Sequence, residues 1–291
     1  MKTGKLADKF RVNGGKHFRL KDFDPAFTGH WKSKEHAEET LQEQVARTAE
    51  LQDKLYAQDT WSLLLVFQAM DAAGKDSAIK HVMSGVNPQG CEVHSFKAPS
   101  ERELQHDFLW RTTRVLPERG HIGIFNRSYY EEVLVVRVHP ELLRAQKLPS
   151  SLVTDDVWDE RFEDIRCFER HMTRSGTAIR KFFLHVSKQE QKKRFLERLD
   201  EPEKNWKFSP SDVRERDCWS DYQDAYEALI RNTATKHAPW HVVPADHKWF
   251  THLVISTVIV DALESLDLGY PKVDPQKGKE LEAAGKRLRK E

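Results

Sequence analysis

Five times along the chain an apolar run breaks off into a turn and is followed by a charged, helically patterned stretch. The runs cover 63–67, 91–96, 120–125, 181–186 and 238–244. The first, Leu63-Leu64-Leu65-Val66-Phe67, has no polar alternation, which suits a strand covered on both faces. Before it, Leu41, Val45, Thr48, Leu51 and Leu55 recur at three- and four-residue steps and predict an amphipathic helix over 35–56. Further helices are predicted over 76–83, 101–116 and 158–174, the last with Gly176 as a C-cap. Ser187 and Glu190 form a capping box for a helix reaching 199. Another helix opens at 211–216 and carries Trp219, Tyr222, Tyr226 and Leu229 on one stripe, which reads as core more readily than as a platform for bases. A last helix covers 249–268. Strands alternating with helices predict an α/β fold of three layers, α/β/α, around a five-stranded parallel sheet.

The pattern fades at both ends. Residues 1–34 combine the turn signal Asn13-Gly14-Gly15 with scattered Phe18, Phe23, Phe27 and Trp31, an irregular arm laid over the domain. The domain itself is expected to occupy 35–270, and 271–291 is a charged tail with no expected core. The Pro-broken polar stretch from Asp200 through Pro210 reads as a lid, about 200–216, able to exclude water and bring cations to a transferring group. Its acids nearly balance its bases, so charge alone leaves a solvated helix and loop as the alternative.

Composition narrows the function. With 291 residues, 32% charged and 38% hydrophobic, this is a globular composition with a sizeable core. A formal net charge of +1 gives no global basic field, so nucleic acid is not an expected partner and any polyanion site must be local. Cys91, Cys167 and Cys218 form no C-x-x-C pair, against both a disulfide framework and a zinc site. His237 and His241 are split by Pro239 and cannot share a helix face. No apolar leader opens the chain, and the apolar stretch 253–260 is short and interrupted by Ser256 and Thr257. A cytoplasmic protein with no membrane span is expected.

The chemistry gathers after the first strand, in Gln68-Ala69-Met70-Asp71-Ala72-Ala73-Gly74-Lys75-Asp76-Ser77. Gly74-Lys75 sits where a phosphate loop would turn into its helix, with Ala72, Ala73 and Gly74 offering backbone N–H groups and Lys75 reaching the transferred phosphate. Ala69 stands where the first loop glycine belongs, and Asp76 replaces the hydroxyl that would hold magnesium. Asp71 can take over that role, or it can serve only as a helix cap. Lys80 extends a cationic face or pairs with Asp76. At the end of the third strand, Asn126 occupies the second metal-facing position and can coordinate through its carbonyl. Arg127 can reach a phosphate bidentately, or pair with Glu131 or Glu132.

Three segments together resemble the polyphosphate kinase 2 family: Met70 to Asp76, Phe125 to Glu131, and Trp206-Lys207-Phe208-Ser209 followed by Ala238-Pro239-Trp240-His241-Val242-Val243-Pro244. The resemblance spans about 18–268. It implies a thymidylate-kinase-like P-loop kinase core with a helical lid over a channel for extended polyphosphate, dependence on magnesium (Mg2+, with Mn2+ as the alternative), and a homo-oligomer, often a tetramer. Carried onto this chain, it makes Asp71 a catalytic residue that binds magnesium or orients the acceptor phosphate, with Lys75 and Arg127 on the transferring phosphoryl group. It puts Lys80 along the polyphosphate path and Arg194, Arg198 and Lys207 in the lid. Asn126 with Glu131 resembles the subgroup that accepts both AMP and ADP. The implied reaction moves phosphate from inorganic polyphosphate to AMP or ADP, giving ADP or ATP, and can reverse. An ATP-dependent nucleoside or nucleotide kinase, and a non-catalytic nucleotide- or anion-binding regulator, remain as alternatives.

Overall fold

The computed structural model describes residues 3–290; the side chains of residues 3–5 and of Lys207 lie outside the described set, and so does the expected lid contact of Lys207. The strands are β1 (Arg11–Val12), β2 (Ser62–Ala69), β3 (Cys91–Ser95), β4 (Ile122–Asn126), β5 (Thr177–His185) and β6 (Trp240–Pro244), and the five apolar runs form β2 to β6. They make one sheet in the order β1-β6-β5-β2-β4-β3. The five predicted strands are parallel, as expected, but the sheet has six strands and is mixed. The two-residue β1 pairs antiparallel with β6, Arg11 opposite His241 and Val12 opposite Trp240. Two residues are too few for periodicity to register, which is why the sequence pattern missed the strand.

Every residue of β2 is buried, as its unbroken apolar run requires. Its partners lie on either side, Leu65 opposite Ile124 of β4 and opposite Arg180 of β5. The chain leaves β2 toward one edge and later returns to its other side. That reversal opens a crevice at the carboxyl end of β2, where open α/β sheets bind ligands.

The helices Thr3–Lys9, Lys34–Gln58 and Lys75–Met83 pack on the apolar helix Lys248–Glu264, while Val157–Arg174 packs on Trp219–Thr233. The N-terminal stretch is more than an irregular arm, because Leu6, Phe10, Phe18, Leu20 and Trp31 are buried in the main core. The helix expected over 101–116 does not form as one piece. A 3-10 turn Glu103–Gln105 and a short helix Trp110–Thr113 replace it. Ser100 and Asp107 explain the break: Glu103 caps Ser100 N–H, and Asp107 Oδ1 accepts from Leu109 N–H at 2.9 Å. The C-terminal helix Pro275–Leu288 has no buried residue.

One buried network stiffens the far side of the sheet. Lys181, fully buried on β5, donates to Glu169 at 2.6 Å, to the Tyr130 hydroxyl at 2.9 Å and to Thr233 O at 2.9 Å. Tyr129 and Tyr130 both donate to Glu169. These bonds fix the two tyrosines that follow Arg127 and Ser128.

Candidate active site

The loop between β2 and the helix Lys75–Met83 is shaped by its backbone. Ala72 lies in the left-handed region at φ 59°, and Gly74, the N-cap, lies at φ 105°. Glycine adopts that conformation without strain; alanine does not, so Ala72 must be held. The helix Lys188–Asp200 does the holding. Gln191 Nε2 donates to Asp71 O at 2.9 Å, and Arg194 Nη1 donates to Ala72 O at 3.0 Å and to Ala73 O at 2.9 Å. Three successive loop carbonyls are thus tied to one helix.

Arg194 has no donor to spare. Its Nη2 goes to Ala245 O and Asp246 O, and its Nε to Glu190 Oε1 at 2.9 Å, which accounts for all five of its N–H groups. Expected as a lid cation, it lines the cavity over the loop, where it is buried and its N–H groups are engaged by protein oxygens. Arg198 lines the cavity too, 4.0 Å from Asp212. Lys80 is exposed on its helix and is not among the residues lining that cavity.

The cavity over the loop measures about 590 Å³. Asp71, Ala72, Ala73, Gly74, Lys75, Asn126 and Arg127 all line it, so the two motifs read from separate parts of the sequence meet here. Lys75 Nζ donates to Ala69 O at 2.9 Å, and burial holds its pKa below the usual value, against the pull of Asp71. Asp71 Oδ1 accepts from Arg127 Nη2 at 3.1 Å. Arg127 Nη1 lies 3.9 Å from Glu131 Oε2. Burial works against the Arg127 charge, but Glu131 and Asp71 outweigh it and hold its pKa above the ordinary value. For Glu131, 15% exposed at the side chain, burial wins over Arg127 and Lys75 and the carboxyl is pushed up. Its neighbour Glu132 turns away and pairs with Arg161 at 3.1 Å.

Arg127 itself sits at φ 64°, and its N–H donates to Phe67 O at 3.0 Å, extending the β4 ladder onto β2 by one residue. Strained residues on both sides of the crevice are a feature of built sites.

Sequence reasoning missed Lys97 and Lys248, which also line the cavity. Each follows the end of a strand, β3 and β6, and that position was the available signal. Gln191 was missed as well, and nothing in its local sequence sets it apart.

The residues fit a divalent cation carried mainly by substrate. Asp71 offers a half-exposed carboxylate; Asn126 Nδ2 donates to Asp76 Oδ1 at 3.1 Å, leaving the Asn126 carbonyl oxygen and the second Asp76 oxygen as further donors. Among the described residues no three His, Cys, Asp or Glu side chains gather as a self-sufficient metal cage. Magnesium commonly takes one or two carboxylates and completes its shell with phosphate oxygens and water.

The family model described as Polyphosphate kinase 2 (PPK2) matches residues 31–269. The chain belongs to the polyphosphate kinase 2 family. A relative from Rhodopseudomonas palustris, an ADP-polyphosphate phosphotransferase, is 54% identical over 274 residues, covering 94% of this chain and 95% of that protein. The AMP/ADP-polyphosphate phosphotransferase of Meiothermus ruber is 46% identical over 265 residues, covering 91% and 95%. The crystal structure of polyphosphate kinase 2 from Arthrobacter aurescens TC1 superposes with a TM-score of 0.86 at 40% identity, covering 96% of each chain. The fold is therefore that of the family, and Lys75, Asp71 and Arg127 occupy the crevice of a kinase core.

Proposed function

We propose that this polyphosphate kinase 2 moves the terminal phosphoryl group of inorganic polyphosphate to AMP and to ADP. The observation that carries the reading is the convergence of Lys75, Arg127 and Asp71 at one cavity over a phosphate loop, in a chain whose relatives are phosphotransferases of polyphosphate. In the proposed step, an oxygen of the acceptor's terminal phosphate attacks the end phosphorus of the chain. The bridging P–O bond breaks, and polyphosphate one unit shorter leaves as an anion.

Such a transfer needs positioning and charge neutralisation more than covalent help. Lys75, the loop N–H groups and Arg127, oriented by Asp71 and Glu131, would hold the transferring group. Mg2+, bound with Asp71 and Asn126, would supply further charge neutralisation. Glu131 would order a water in the space left when the shorter AMP binds. Arg198, with Lys97, Lys204 and Lys248 around the same cavity, would receive the polyphosphate chain. A homo-oligomer in the cytoplasm belongs to the same reading.

The test is purified protein with Mg2+ and polyphosphate, supplied with AMP, ADP or neither, following ADP and ATP by chromatography. Both nucleotides should be phosphorylated. Transfer from ATP with none from polyphosphate would instead establish an ordinary nucleotide kinase.

A further inference from the structure

The segment over the cavity ends at Arg216, the residue that closes the short helix Pro210–Glu215. Arg216 and its neighbour Glu215 point to different anchors. Glu215 Oε2 accepts from the Tyr222 hydroxyl at 2.7 Å and meets His139 Nε2 at 3.0 Å. Arg216 reaches the other way, to the helix Lys188–Asp200, donating through Nη1 to Lys188 O at 3.3 Å and to Gln191 Oε1. Arg216 does not itself line the cavity.

Gln191 is 2% exposed, and both ends of its amide are engaged. Its oxygen takes Arg216 while its Nε2 donates to the carbonyl of Asp71. A primary amide has one oxygen and one NH2, so each bond dictates the orientation that permits the other. If the covering segment withdrew, a buried amide oxygen would lose its charged donor, a state buried polar groups avoid. The amide would then turn to find another partner, and Asp71 O would lose its donor. The next residue is Ala72, whose left-handed backbone relaxes unless held.

We propose that Gln191 is a positioning residue that couples the seating of segment 200–216 to the shape of the phosphate loop at Asp71. Arg194 differs, since it ties Ala72 and Ala73 to Ala245 and Asp246 and spends none of its five N–H groups on the covering segment. One clamp is constant and the other is conditional on Arg216. Coupling of this kind is reciprocal: a loop gripping phosphate also holds the covering segment down.

The kinetic half of the test rests on the proposed polyphosphate reaction; the structural half does not. Arg216→Met, Gln191→Leu and the double variant Arg216→Met/Gln191→Leu are compared with the wild-type protein, with melting temperatures taken for each. Gln191→Leu removes both the acceptor for Arg216 and the donor to Asp71 O. Amide hydrogen exchange over 71–77 should quicken in both single variants. The kcat should fall by roughly tenfold, in the range seen when a supporting hydrogen bond is lost, while the nucleotide KM moves little. The double variant should be no worse than either single one, and Arg216→Lys, which can still donate, should restore most of the wild-type kcat. Unchanged exchange over 71–77 in Arg216→Met, or additive losses in the double variant, would overturn the coupling. If the wild-type protein does not use polyphosphate, the functional reading fails and the exchange data alone judge the coupling.

Discussion

Arg127 and Asp71 meet at 3.1 Å although 56 residues separate them in the chain. Each stands at the carboxyl end of one of two adjacent parallel strands, and each is delivered by a non-glycine residue in the left-handed region, Arg127 itself and Ala72. Such positions cost about 1–3 kcal/mol each and persist only where surrounding bonds over-determine them. Here the bonds are the Arg127 N–H to Phe67 O and the Gln191 and Arg194 contacts to the loop carbonyls.

Replacing Asp71 by Asn keeps its size and leaves Arg127 a neutral acceptor, so the fold should survive. If its charge holds the cation and orients Arg127, kcat should drop about 10²–10³-fold, the cost typical of a lost electrostatic contact at the reacting group. Steady-state kinetics with unchanged circular dichroism checks this.

Glu131→Asn should shift the ratio of kcat/KM for AMP to that for ADP toward ADP by about tenfold, or ~1.4 kcal/mol. The carboxyl is buried beside Arg127 and serves the shorter acceptor in the proposed reading. An unchanged ratio would remove Glu131 from acceptor choice.

The Lys181–Glu169 pair tests the frame behind the site. Glu169→Gln leaves a fully buried ammonium without a counter-charge and should cost about 3–5 kcal/mol in urea unfolding. The double variant Lys181→Met/Glu169→Gln, in which no charge is stranded, should be less destabilised than Glu169→Gln.

Three histidines give the protein an acid-sensitive stability. Burial lowers His241 to about 3, and His185 and His252 each to about 4, so all three are neutral in the fold. The unfolded chain protonates them near 6.5, and between there and about 4 it binds more protons than the folded protein. Their contribution is therefore complete above pH 6.5 and is lost as pH falls. His241→Phe should flatten the slope of unfolding free energy in that window by up to about 1.4 kcal/mol per pH unit, measured by urea titration at successive pH values.

Much of this was legible in the sequence because the central strands are buried on both faces, so apolar runs such as Leu63 to Phe67 announce themselves. Asp71, Lys75 and Arg127 were legible because each falls at the carboxyl end of such a run. The β1 strand was too short to show a period, and the helix expected over 101–116 was undone by Ser100, Glu103 and Asp107 bonding locally. For Arg194 a sequence shows charge but not direction; only the packing of its helix against the loop reveals where its five donors go. Lys181 carried a readable sign, a lysine heading the apolar run 181–186, but its partner Glu169 lies on another element.

The central claim is direct transfer between polyphosphate and nucleotide at the loop of Asp71, Lys75 and Arg127. It is tested most directly by following 32P from uniformly labelled polyphosphate, incubated with Mg2+ and unlabelled ADP, through quenched single-turnover samples. The label should appear in the γ-phosphate of ATP as polyphosphate shortens, with none on the protein. Labelled protein forming before labelled ATP, or no label reaching nucleotide at all, would contradict it.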